Sequence, residues 1–306
     1  MDVRWDRLQN LLDPSQATIE FYESVFHLRA GQHRRSSNEF ADPRGRWILA
    51  SSPQGKASAR TYFTRDIARG DATGSATLTA DATTTAYLWL ASVDVLATAA
   101  AIVAFGDSIT DGVGVTLDSN RAWPSLLAEK LATGRAGPAI AVVNAGLSGN
   151  RLLRPGFGVS ALARFDRDVL THAGVRWMTV LLGINDITFP AVPGAAPAEA
   201  VTADDLIWGF QQIIERAHRH GVKVAGATIT PVEGVNTYTE TGEAIRQAVN
   251  RWIRTSGAFD AVIDFDAAVR DPRHPSRLRA DSDRVHPNDP GNAAMASAID
   301  ASIFSR

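Results

Sequence analysis

Residues 102–114 read Ile-Val-Ala-Phe-Gly-Asp-Ser-Ile-Thr-Asp-Gly-Val-Gly, an apolar run that stops abruptly at glycine and small polar residues. A buried parallel strand looks like this as it leaves the edge of its sheet. Ser108 stands at that exit.

Outward from this point the chain alternates apolar runs with helical patterns. A strand at 102–105 is followed by a helix at 124–133, where Pro124 suits the first turn. A strand at 140–144 leads into the loop 145–150 and a helix near 160–171. A strand at 176–182 runs into Gly183, Ile184, Asn185 and Asp186. Leu206, Phe210, Ile213, Ile214 and Ala217 then mark one face of an amphipathic helix at 203–220, closed by Gly221. Strands at 222–229 and 261–265, with helices at 242–255 and 290–303, complete the pattern. The alternation predicts a parallel sheet covered on both faces. Ligands of such sheets bind beyond the carboxyl ends of the strands. Ser108, the loop at Gly149, and Asn185 are thereby brought to one rim.

The bulk properties narrow the function. The chain has 306 residues, 45% of them hydrophobic, which is ample for a core. A formal charge of -2 offers no general attraction to nucleic acid or anionic lipid, so neither is expected as a partner. The absence of cysteine removes disulfides, thiolate metal sites and a cysteine nucleophile, and leaves the redox compartment open. The first twelve residues carry Asp2, Arg4, Asp6 and Arg7 and lack the apolar core of a signal peptide. As it stands the sequence reads as cytoplasmic, with secretion open if a leader has been removed. The run 92–105 is interrupted by Asp94 and too short to span a bilayer.

Before the alternating region the pattern is weaker. A short helix at 7–12 and a strand at 17–28 precede a solvated, histidine- and arginine-rich loop at 27–35. Between 56 and 96 the composition turns to Thr, Ala, Tyr, Trp and Val. Tyr87, Trp89, Ala91, Val93 and Val95 share one strand face, and the turn-rich stretch 66–74 separates strands. Residues 1–98 are expected to form a small, mostly β accessory region, and residues 99–306 the main domain.

Ser108 lies in Gly106-Asp107-Ser108-Ile109-Thr110, which is not the G-x-S-x-G nucleophile elbow because Thr110 replaces the second glycine. A serine nucleophile needs a base, and His286, three residues after Asp283, has the spacing for an imidazole oriented by a carboxylate within one tight loop. Attack on an ester creates an oxyanion, for which the Ser108 and Gly149 amides and the Asn185 side chain are candidate donors. Each residue has a simpler explanation alone: a turn for Gly149, a helix cap for Asn185, a helix-entry residue for His286.

Taken together, Phe105-Gly106-Asp107-Ser108, Ser148-Gly149-Asn150, Gly183-Ile184-Asn185-Asp186 and the segment from Asp283 to His286 resemble the four blocks of the SGNH (GDSL-type) hydrolases, in order, across residues 99–303. The resemblance implies a flavodoxin-like three-layer α/β/α sandwich on a parallel five-stranded sheet and an ester hydrolysis that uses neither metal nor cofactor. Its substrate would be a small-molecule or carbohydrate ester. The chain looks most similar to bacterial members with a β-rich segment ahead of the hydrolase domain, which include esterases acting on acetylated carbohydrates and on aryl esters. Where many members read Gly-Asp, this chain has Gly149-Asn150, which keeps the backbone donor but alters the polar contacts of the loop.

Asp107, Trp123, Phe189 and Tyr238 are the candidate pocket residues, and the lack of a long apolar lid favours short acyl chains. His218 and His220 end a helix whose dipole favours cations. Asp264 and Asp266 read as a solvated strand end or a brace for the His286 loop. Rival readings are an acyltransferase onto sugar hydroxyls, a non-catalytic carbohydrate-binding protein, and a receiver-like domain using Asp107 and Asp111. The last of these leaves Asp283 and His286 without a purpose.

Overall fold

The computed structural model describes residues 61–63, 82–84, 100–133, 140–196 and 199–305. The expected helix at 7–12, the strands at 17–28 and 85–95, and the loop at 27–35 lie outside these residues. The chain divides into two units that part near residue 98. In the first, β1 (Thr61–Phe63) pairs antiparallel with β2 (Ala82–Thr84), on either side of the turn-rich stretch.

The second unit carries the sheet. Its strands are β3 (Ala100–Gly106), β4 (Ile140–Gly146), β5 (Val175–Leu181), β6 (Lys223–Ala227) and β7 (Ala261–Ile263). All neighbours are parallel, in the order β4-β3-β5-β6-β7. The first of the five therefore lies between the second and the third, the flavodoxin-like arrangement whose switch point falls between β3 and β5. Ala101 to Phe105 are at most 4% exposed, as a central strand covered on both faces requires.

The helices are α1 (Ser108–Asp111), α2 (Trp123–Thr133), α3 (Ala161–Phe165), α4 (Ile184–Thr188), α5 (Ala203–Arg219), α6 (Glu240–Thr255), α7 (Phe265–Val269) and α8 (Asp289–Ala298). One group packs α8 on α2 and α7, the other packs α5 on α3 and α6, giving the outer layers of the sandwich. The buried stripe of α5 is Leu206, Gly209, Phe210, Ile213, Ile214 and Ala217, the face expected from the period plus one glycine. Its start is fixed by a capping box between Thr202 and Asp205.

Among the boundaries that differ from the sequence pattern, three have a local cause or continuation. The helix expected at 160–171 is α-helical only to Phe165 and continues as a π-helical turn, Asp166–Leu170. β7 ends at Ile263 because the Asp264 side chain caps α7 by accepting from the Ala267 amide at 3.1 Å. The last helix stops at Ala298, and a 3-10 turn, Ala301–Ser305, follows. Among the described residues no helix is long and apolar enough to cross a membrane.

Candidate active site

Ser108 opens α1, directly after β3. The Asp107 carboxylate caps this turn, accepting from the Ile109 amide at 3.0 Å, and Ser108 is 7% exposed. Its hydroxyl lies 2.8 Å from His286 Nε2, across 178 positions of chain. On the far side of the ring, His286 Nδ1 is 2.7 Å from Asp283 Oδ2. The second carboxylate oxygen, Asp283 Oδ1, accepts from the His286 and Val285 amides at 2.9 and 3.1 Å.

An ionised carboxylate only accepts, so Nδ1 carries the ring hydrogen and Nε2 faces the hydroxyl as an acceptor. Burial acts to raise the Asp283 carboxyl, but the hydrogen bonds from the His286 ring and amide outweigh it and hold the group below its ordinary value. The aspartate thus stays charged, which keeps the ring in the tautomer a serine nucleophile requires.

The loop that presents His286 is held from several sides. Arg284 has φ 70, a conformation that costs a non-glycine residue on the order of 1–3 kcal/mol. Its amide donates to Asp281 Oδ1 at 2.7 Å, and the Ser282 amide donates to the His286 carbonyl at 3.0 Å. Buried Asn292 on α8 donates to the Pro287 carbonyl at 2.6 Å and accepts from the Trp123 amide at 2.9 Å. The Thr116 amide and hydroxyl donate to the two carboxylate oxygens of Asp289 at 2.8 and 2.7 Å. Gly114, at φ 95, lets the loop after α1 close on the histidine loop: a Cβ there would stand 2.9 Å from His286 Cβ.

β4 and β5 flank β3, so the loops with Gly149 and Asn185 leave the sheet on either side of Ser108. Asn185 Nδ2 donates to the Asn150 carbonyl at 3.0 Å, which leaves its second N–H for another acceptor. Asp186, 1% exposed, accepts from the Leu152 and Leu153 amides at 2.7 and 3.0 Å and ties the same two loops together. The Ser108 and Gly149 amides donate to no other described residue. Gly149 has φ 73, and a Cβ there would fall 2.5 Å from Phe157 Cδ2.

One residue essential to this framework has no counterpart in the sequence expectations. Arg164 is 2% exposed and donates to Gly106 O at 2.7 Å, Ala145 O at 3.0 Å, Asn150 Oδ1 at 2.8 Å and Asp168 Oδ2 at 2.9 Å. It donates to carbonyls at the ends of β3 and β4 and fixes the loop after Gly149, while stacking 4.1 Å from the Phe105 ring. A signal did exist: Arg164 follows Ala161 by three positions and shares its buried stripe with Phe165, where a solvated arginine does not belong.

Two expected pocket residues are core residues instead. Trp123 is fully buried, its ring 5.2 Å from that of Phe265, because the helix it opens turns this face inward against α7. Asp107 is equally buried and serves as a cap. Burial pushes its carboxyl up to about 7, opposed by the Ile109 amide and aided by the nearby Asp186 charge. Burial likewise pushes Asp186 up to about 6, against the Leu152 and Leu153 amides. Phe189 is half-buried with the Arg151 guanidinium 4.4 Å above its ring, and half-buried Tyr238 lines a small recess with Ile184, Ile187 and Thr188 that contains neither Ser108 nor His286.

Asp264 and Asp266 do not brace the histidine loop. They bind Arg254 at 2.7 Å each, and fully buried Asp266 also binds Arg246 at 2.8 Å. His218 pairs with Asp260 at 2.7 Å. Among the described residues no group of three or more metal-ligating side chains gathers.

The wider comparisons agree with this architecture. Residues 104–294 match the GDSL-like lipase/acylhydrolase family. Among solved structures, the native M. smegmatis aryl esterase is similar at 16% identity and a TM-score of 0.53, over 67% of this chain and 99% of that one. A carbohydrate acetylesterase from Sinorhizobium meliloti is similar at 14% identity and 0.52, over 67% and 99%. An α/β hydrolase enzyme from the Lake Arreo metagenome is similar at 20% identity and 0.52, over 67% and 95%. At these identities the likeness shows the fold alone. No curated protein sequence matches the chain.

Proposed function

Because the chain belongs to the GDSL-like lipase/acylhydrolase family, a family of hydrolases, we propose that it cleaves short-chain acyl esters of small alcohols or carbohydrates through an acyl-enzyme on Ser108. The observation that carries this reading is the line from Ser108 Oγ to His286 Nε2 at 2.8 Å and from His286 Nδ1 to Asp283 at 2.7 Å.

In this mechanism His286 takes the proton of Ser108 as Oγ bonds to the ester carbonyl carbon, whose π electrons move to oxygen. The Ser108 and Gly149 amides and the Asn185 side chain receive the resulting oxyanion. When the carbonyl re-forms, the alkoxide leaves with the proton from His286. Water then attacks the acyl group, gives a proton to His286, and the acid departs as that proton returns to Ser108 Oγ. Asp283 stabilises the imidazolium at both stages and stays charged. The partners this implies are small-molecule or carbohydrate esters, without nucleic acid or membrane.

Phosphonate labelling with peptide mapping tests the reading. Wild type is expected to be modified at Ser108, with labelling abolished in Ser108→Ala; modification elsewhere, or none, overturns it. Acetyl, butyryl and palmitoyl esters of one alcohol test the acyl preference, which palmitoyl turnover above acetyl would reverse.

A further inference from the structure

We infer that Phe157 is a specificity-determining residue, a platform on which the ring of an aromatic or pyranose leaving alcohol stacks. This rests on the ester-hydrolase reading above.

Phe157 is 62% exposed, and among the described residues only five large hydrophobic side chains are exposed by 40% or more. Two of the five, Phe157 and Val159, fall in the loop that follows Gly149. Isolated exposed apolar side chains need no explanation, but their placement beside a reactive centre does. Phe157 rests on Gly149 itself: an ideal Cβ on that glycine would lie 2.5 Å from Phe157 Cδ2 and 3.0 Å from Phe157 Cβ. The phenyl ring is therefore in van der Waals contact with the residue whose amide is proposed to hold the ester oxygen.

The loop is built to keep the ring there. Asn150 Nδ2 donates to the Val159 carbonyl at 2.8 Å, the Gly156 amide donates to the Gly158 carbonyl at 2.9 Å, and Arg151 Nη2 donates to the Pro155 carbonyl at 2.6 Å. Arg151 is in turn anchored by Glu199 at 2.6 Å. An aromatic face held open to water beside the oxyanion donors is a stacking surface formed before the substrate arrives.

Its exposure assigns it to the alcohol rather than the acyl group. The acyl carbon must bond to Ser108, which is only 7% exposed, whereas the alcohol it releases must reach solvent. The departing alcohol lies on the solvent side, where Phe157 stands.

The test compares phenyl acetate with ethyl acetate, which give the same acetyl-enzyme and differ only in the alcohol. Phe157→Ala and Phe157→Leu are expected to lose roughly 3- to 10-fold in kcat/KM for phenyl acetate and less than 2-fold for ethyl acetate, the scale of one aromatic contact. Phe157→Trp is expected to retain the discrimination. Equal losses on both esters would make Phe157 a mere support for Gly149, and no loss on either would remove it from the substrate's path; both overturn the inference while the hydrolase reading stands. A wild type inert to both esters, unlabelled at Ser108, would overturn the two together.

Discussion

The Arg164 guanidinium donates to the carbonyl of Gly106 at 2.7 Å, two residues ahead of the proposed nucleophile. The same side chain reaches Asn150, beside the proposed glycine donor. One buried cation therefore sets the relative position of the hydroxyl and part of its oxyanion site.

Replacing it should expose how much of the rim depends on it. Arg164→Met takes the guanidinium donor from the Gly106 and Ala145 carbonyls and the Asn150 side chain, while Gly106 O keeps the Leu147 amide and Asp168 keeps Arg167, and is expected to destabilise the fold by roughly 2–4 kcal/mol. Thermal unfolding checks this. A loss below about 1 kcal/mol would show that the carbonyls find other partners.

Asn185→Ala removes one donor while the Ser108 and Gly149 amides remain. The expected result is a roughly 10²- to 10³-fold fall in kcat with a small change in KM, the pattern of an interaction made mainly in the transition state. Steady-state kinetics on an acetate ester decide it. Unchanged turnover would take Asn185 out of the site.

Asp283→Asn keeps the shape of the side chain and removes its charge. A buried triad aspartate treated this way loses roughly 10⁴-fold in kcat. The Asp283 side chain is 52% exposed, so water can partly replace it, and the expected loss is smaller, on the order of 10²- to 10³-fold. Rates within a factor of two of wild type would leave His286 oriented by other contacts.

Asp107 gives a stability prediction with a defined sign. Burial pushes its carboxyl up to about 7 in the folded chain, from 3.8. Below about pH 4 both states hold the proton and the group contributes nothing. Between about 4 and 7 only the folded state holds it, so stability declines as pH rises, by on the order of 4 kcal/mol in all. Asp107→Asn retains an acceptor for the Ile109 amide, and its Tm is expected to vary less over this window than that of wild type. An identical slope would assign the titration to other groups.

The legibility of the sequence followed the range of each interaction. Ser108, Gly149 and Asn185 could be placed on one rim because each ends an apolar run, and strand ends of a parallel sheet share an edge. Asp283 and His286 could be paired because they are three positions apart, and local spacing constrains local geometry. The position of Trp123 after a loop says nothing of which way its ring turns, and that is decided by Phe265, more than a hundred residues later. The same long reach hid Arg164, whose acceptors come from two strands and a loop, and Asp266, two of whose arginine partners, Arg246 and Arg254, come from another helix. Phe157 sits between two glycines with no periodic pattern to mark it, and only its contact with Gly149 gives it meaning.

The base and the hydroxyl it would activate are 178 positions apart, and the base comes second. At roughly 5–20 residues per second of translation, on the order of 10–35 s pass between the emergence of Ser108 and that of His286 from the ribosome. During that interval the nascent chain carries an ordinary serine hydroxyl. Reactivity would thus be switched on only after the last strand and its following loop have been synthesised, and chains abandoned earlier would be released harmless.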